Sequence, residues 1–232
     1  LRLSSGLDIE AGAVVSATGG NVANGSSYGA SVDKDVSVAG QFTASAGDAE
    51  SSKSLYSYGL HVMFPNSSVT VDSTGRLIAS GGTANCDGGM GSTSAGLWTL
   101  NNSVTVDGYA ELTGGNATVT NGEDGSNPAT ADSYGLFASD VAVTGELVAK
   151  SGEAVCTAKE NNESAAYSAG IWTGDMSIAE RAEVEATSGK AQSDGSETIS
   201  AGVYLDPEYS DGYIGSTISP GSSGNGGAAA GQ

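Results

Sequence analysis

Residues 133–154 read SYGLFASDVAVTGELVAKSGEA, and the rest of the chain repeats this phrase with variations. The phrase has three pieces. A Ser-x-Gly anchor with an apolar residue after it comes first, then Val-x-Val, then Gly-x-Leu-x-Ala-x-x-Gly-x-Ala. Anchors occur at Ser27, Ser57, Ser94, Ser133, Ser168 and Ser200, followed by Ala30, Leu60, Leu97, Leu136, Ile171 and Val203. The second piece recurs at Val36, Val69, Val104 and Val141, and as Met176-Ser177-Ile178. The third starts at Gly40, Gly75, Gly108, Gly145 and Ala182. Offsets inside the third piece never change. Length varies in the joints, chiefly before the next anchor. An irregular copy at the start and a degenerate one at the end flank the series.

A fixed period of this size means stacked units, each unable to bury its apolar face alone. Apolar and small polar residues alternate within each piece, which is the period of a strand, not a helix. Val and Thr suit a pleated surface, and strands this short need neighbours to be stable. Three short strands per copy with elastic corners predict an all-β fold: a right-handed parallel β-helix, or β-solenoid, of about six to seven coils. At ~4.8 Å per coil the rod would be roughly 30 Å long. A β-propeller is the competing reading of a repeat this long. Its blades need four antiparallel strands joined by hairpins, and regular Asn-Gly or Asp-Gly turns are missing here.

The unbroken repeat predicts one β-helix domain over residues 1–215. Residues 216–232 are Gly, Ser and Ala with one Pro, the composition of a flexible tail or linker. The chain begins at Leu1 without Met, so it reads as a trimmed piece of a longer protein. Glycine, at 36 residues, has no Gly-X-Y period and marks corners instead. The formal charge is −19 with eight scattered basic residues. Nucleic-acid or anionic-lipid binding needs a basic stripe, so neither partner is expected. No apolar run is long enough for a helix to cross a bilayer, and direct membrane insertion is not expected. Sequons at Asn24, Asn66, Asn101, Asn116 and Asn162 are at chance level for so Ser- and Asn-rich a chain.

Cys86 and Cys156 share a register two copies apart, with Val119 between them. Two strand spacings put their Cα atoms roughly 9.6 Å apart, beyond disulfide reach. Free thiols are expected.

In a stacked fold, a site should appear as chemistry repeated from coil to coil. Two residues after the anchor glycine stand Ser31, His61, Trp98, Phe137, Trp172 and Tyr204. Alternation sends this register outward. Trp98, Phe137, Trp172 and Tyr204 then form an aromatic row that either binds sugar rings or packs. Tyr58 and Tyr134 precede their glycines where the later residue is not Trp, whereas Ala95, Ala169 and Ala201 accompany Trp98, Trp172 and Tyr204. That compensation speaks for a shared packing volume. Carboxylates also pair in register: Asp140 with Asp175, Asp72 with Asp107, Glu146 with Glu183. Carboxylates ~5 Å apart repel unless protonated or bridged by a cation. The four aspartates are thus calcium candidates, or the acid pair of a retaining glycosidase, or solvated turn residues. No calcium-loop pattern accompanies them. Glu153 opposite Lys190 predicts a structural cross-coil ion pair. His61 is the sole histidine and no Gly-x-Ser-x-Gly elbow exists. Cys/His metal sites are excluded by count. The residues imply no cofactor.

With these residues in view, the phrase SYGL…VTVDG…ELTGGNA…SAGI resembles the β-helical repeats of bacterial cell-surface and adhesin-like proteins, over about Ser27 to Tyr204. In architecture it is also similar to the pectin-lyase-like superfamily. That resemblance implies a non-catalytic extracellular or cell-surface module for adhesion, display or spacing: a monomeric rod within a larger chain, binding a glycan or a host surface protein. The alternative it implies is a polysaccharide-active hydrolase or lyase. The superfamily's enzymes set Arg, Lys or His beside clustered Asp, and no such partner stands beside Asp140/Asp175 or Asp72/Asp107. Loops 50–54, 85–92, 121–132, 159–166 and 192–198 are expected to leave the rod at one corner, as its natural contact points.

Overall fold

The computed structural model describes residues 1–122, 128–159, 163–195, 197–206 and 228–230, the last by backbone alone. The described residues are all-β, with no helix, and every strand pairing is parallel. They stack as a β-solenoid of about five turns, a rod of ~24 Å at the usual strand spacing. Parallel pairing throughout removes the propeller. The expected six to seven coils become about five because six Ser-x-Gly anchors bound five complete intervals.

The walls are one broad sheet of twelve strands and two sheets of six. The third sequence piece supplies two strands, not one. Gln41–Ser45, Arg76–Ser80, Tyr109–Thr113, Glu146–Lys150 and Glu183–Thr187 stack on Val14–Thr18 as the second sheet. Ala49–Ser51, Ala84–Asp87, Ala117–Gly122, Ala154–Ala158 and Ala191–Ser193 stack on Val22–Ala23 as the third. The first two pieces share the broad sheet. In two coils they fuse into single strands, Ala129–Val143 and Ser164–Ile178. Elsewhere a joint separates them: Asn66 (φ 62°) and Asn101 (φ 56°) turn the chain through the left-handed region. The fused strands have no such residue at that point. A further strand, Ala228–Ala230, pairs with Val203–Leu205. The remainder of the expected tail lies outside the described residues.

Each register read from the sequence is the register of the stack. Ser27, Ser57, Ser94, Ser133, Ser168 and Ser200 follow one another coil by coil. So do Leu60, Leu97, Leu136 and Ile171, all fully buried. These join Val69, Val104, Leu112 and Leu147 in the main core. A second, smaller core lies under the third sheet, with Leu55, Ala84, Cys86, Val119, Ala131 and Cys156. The cysteines are free and buried, in register through Val119 as expected.

The anchor motif is what divides the interior into these two lobes. A Cβ at Gly59 would lie 2.4 Å from the Ser80 amide nitrogen, and one at Gly96 2.4 Å from that of Thr113. Backbone meets backbone across the coil at each anchor, so only glycine fits. The anchor serine closes the pinch. Ser57 donates its hydroxyl to the Gly47 carbonyl (2.9 Å) and accepts from the Gly82 amide (2.8 Å). Ser94 repeats this with Gly82 and Gly115, and Ser133 with Gly115 and Gly152. Those corner glycines are themselves a column, since a Cβ on Gly115 would sit 2.4 Å from the Gly82 carbonyl oxygen. Corner amides and carbonyls that would be orphaned inside the fold are thereby paired between coils.

Candidate binding face

The aromatic row forms as expected. Arg2, Ser31, His61, Trp98, Phe137, Trp172 and Tyr204 occupy one register on the outer face of the broad sheet. The rings stack on one another along the rod. Trp98 lies 4.1 Å from Phe137 at 7° between planes, and 5.3 Å from Tyr58 at 5°. Trp172 lies 4.1 Å from Tyr204 at 37°. Tyr134 fills the flank, tilted against Trp98 and Phe137 and edge-on to Trp172. Ala95 and Ala169 are fully buried in the same cluster, which is the volume compensation read from the sequence. Phe137 and Trp172 are only 5% and 7% exposed, and Trp98 and Tyr204 are half-buried against them. Sugar stacking requires an open ring face, and here faces meet faces. The row is an external core that ties coil to coil.

The sequence reading missed how wide this cluster is. Tyr28, Tyr56 and Tyr167 belong to its ring contacts. The signal was present in the tyrosines immediately before the anchor serine (Tyr56, Tyr167) and at the centre of the anchor (Tyr28), a second and third outward register beside the first. Within it, Asp132 lies next to Thr93, whose hydroxyl donates to Asp132 Oδ2 at 3.2 Å. Burial pushes the Asp132 carboxyl up to about 7. His61 stacks on Tyr28 at 5.5 Å, and burial lowers it to about 4, against the opposing pull of Asp33. Its Nδ1, like the indole nitrogen of Trp172, is buried without a hydrogen-bond partner among the described residues. A neutral imidazole packed between rings is a structural side chain.

The carboxylate registers also hold. Asp140 stacks on Asp175, and Glu146 on Glu183. Asp140 and Asp175 sit with Ser103, Thr105 and Ser177 in a shallow groove of about 300 Å³. Asp107 accepts a 2.6 Å hydrogen bond from Thr144, one coil on. Asp72 and Asp107 occupy equivalent turns, their amides bonded to Val38 and Val71. Among the described residues, no three Asp, Glu, His or Cys side chains converge as a metal site would require.

The ion pairs fall elsewhere than expected. Although Ala154 stacks on Ala191, which sets Glu153 opposite Lys190, that pair is not among the ion pairs of the described residues. Both side chains are exposed, where water competes well with a pairing worth little. Lys150 reaches Glu185 at 3.1 Å, and Arg76 reaches Glu111 at 3.8 Å while lying over the Tyr109 ring. The variable loops do share a corner, between the third sheet and the broad sheet. Residues 123–127, 160–162 and 196, within three of those loops, lie outside the described residues. So does the sequon asparagine Asn162.

No protein-family model, curated protein or solved structure matches this chain.

Proposed function

We propose that this chain is a non-catalytic module of an extracellular, adhesin-like surface protein, a monomeric rod that holds or displays contact loops. The observation that carries this reading is the division of the sequence between constant walls and variable corners. The Ser-Gly staples, both buried cores and the aromatic column repeat coil by coil. Length and composition change mainly in the loops between the third and broad sheets. Such a molecule conserves stiffness and varies its rim. The charge of −19 keeps an elongated rod soluble. Partners fitting this rim are glycans or host surface proteins.

The test is incubation with a panel of neutral and acidic polysaccharides, scored for new reducing ends and for unsaturated uronates. The wild type, Asp140→Asn and Asp175→Asn should all release nothing. Product release by the wild type that either substitution abolishes would replace this reading with a polysaccharide hydrolase or lyase.

A further inference from the structure

An open groove of about 550 Å³ runs along the outer face of the third sheet at the foot of the variable loops. Its floor is a register column: Glu50 pairs with Asn85, and Asn85 with Thr118. Glu50 and Asn85 are exposed and Thr118 half-buried, all on the outward side of strands whose alternate residues are buried. Asn24, Asp87 and Thr120 line its sides. Asp87 is held in place, since its Oδ1 accepts from Thr120 Oγ1 (3.2 Å) and Asn121 Nδ2 (2.9 Å). Beside Ala23 and Cys86, the lining is carboxylate, carboxamide and hydroxyl, with no Lys, Arg or His.

We propose that this groove binds an uncharged, extended polysaccharide lying along the rod. This names the ligand class of the module proposed above and rests on that reading. Three observations carry it. Over three successive coils, between Ala23 and Val155 of the same register, the column presents a hydrogen-bonding side chain at ~4.8 Å intervals, close to the length of one pyranose unit in an extended chain. An oligosaccharide laid along the axis therefore meets a polar group at three successive rings, from Glu50 to Thr118. Carboxylate and carboxamide groups suit hydroxyl pairs, because they accept from, or both accept from and donate to, a sugar. Two carboxylates without a cation repel an acidic polymer, as does the charge of the whole chain. That selects neutral sugars over uronates. The aromatic column plays no part in this site, its ring faces being occupied.

The experiment is titration calorimetry of the whole chain with uncharged hexasaccharides of β-glucan, mannan and xylan, and with a polygalacturonate hexamer as the acidic control. At least one neutral hexasaccharide should bind, with little dependence on salt, and the acidic one should not. Asn85→Ala and Thr118→Val should each weaken binding about tenfold, the order of one lost hydrogen-bonding group. Neither should shift the melting temperature, since both sites face solvent. Absence of binding by every neutral hexasaccharide, preference for the acidic one, or binding indifferent to both substitutions overturns the proposal. None of those outcomes produces cleavage, so they are distinguishable from failure of the non-catalytic reading.

Discussion

The hydroxyl of Ser94 donates to the carbonyl oxygen of Gly82 at 2.7 Å, joining the broad sheet to the corner between the other two. The Ser94 hydroxyl oxygen in turn accepts from the Gly115 amide at 2.7 Å. Ser94 is fully buried. Ser94→Ala would leave a half-buried carbonyl and a half-buried amide unpaired, each costing up to ~1–3 kcal/mol. A loss of about 2–4 kcal/mol in urea unfolding is expected, against a negligible change for the exposed Ser5→Ala. A loss under about 0.5 kcal/mol would mean that the staple does not hold the coil.

The anchor glycines make a sharper contrast. Gly96→Ala places a Cβ 2.4 Å from the Thr113 amide nitrogen, against backbone that cannot swing aside. Gly20 has open space around its missing Cβ. Gly96→Ala should give little folded protein. Gly20→Ala should fold normally, with stability unchanged or raised by a few tenths of a kcal/mol. Circular dichroism and expression yield read both.

The aromatic column is predicted to be worth stability rather than affinity. Trp98→Ala removes the stacks on Phe137 and Tyr58 from a half-buried position on the outer face, a change of about 1–3 kcal/mol. In whatever fraction remains folded, glycan binding should persist. Loss of binding by a variant that still melts like the wild type would restore the column as a sugar site.

Asp132 gives the fold a pH dependence of defined sign. Its folded value is raised by burial to about 7 from an ordinary 3.8. The folded state therefore keeps a proton that the unfolded chain has released. Stability is highest below about pH 4 for this group, declines as pH rises from there to about 7, and levels off above it. Asp132→Asn should be more stable than wild type at pH 8, by on the order of 1–3 kcal/mol, and no more stable at pH 4. Equal differences at the two pH values would place the charge in water.

Burial also raises the thiols of Cys86 and Cys156, the latter to about 11. Both should resist Ellman's reagent in the native state at pH 8 and react together on unfolding. Rapid reaction of either in the native protein would put it outside the second core.

The wall of the rod was legible in the sequence because strict offsets leave one register, and a slip by one residue would expose Leu97 and Leu112. The coil's true outline was not. Gly81-Gly82 and Gly114-Gly115 read as part of one motif with fixed offsets, yet they split the third piece into two strands. The serine of Ser-x-Gly read as an anchor with no stated partner, because Gly82 and Gly115 come near it only once the coil closes. The aromatic row was placed by alternation, and the tyrosine–alanine exchange beside it foretold packing. The Glu50–Asn85–Thr118 column was passed over because its residue types differ, and a ladder of unlike polar groups leaves no repeated letter.

The central claim is that equivalent residues lie directly above one another at one strand spacing per coil. Spin labels placed pairwise on a Cys86→Ser/Cys156→Ser background measure this. The outward second-sheet column Ser16, Glu111, Val148 and Glu185 is suited to the labels. Distances from Ser16 should rise in equal steps, from ~14 Å to Glu111 through ~19 Å to Val148 and ~24 Å to Glu185. Unequal steps, or a distance to Glu185 no longer than that to Glu111, would contradict the stacked wall and everything placed upon it.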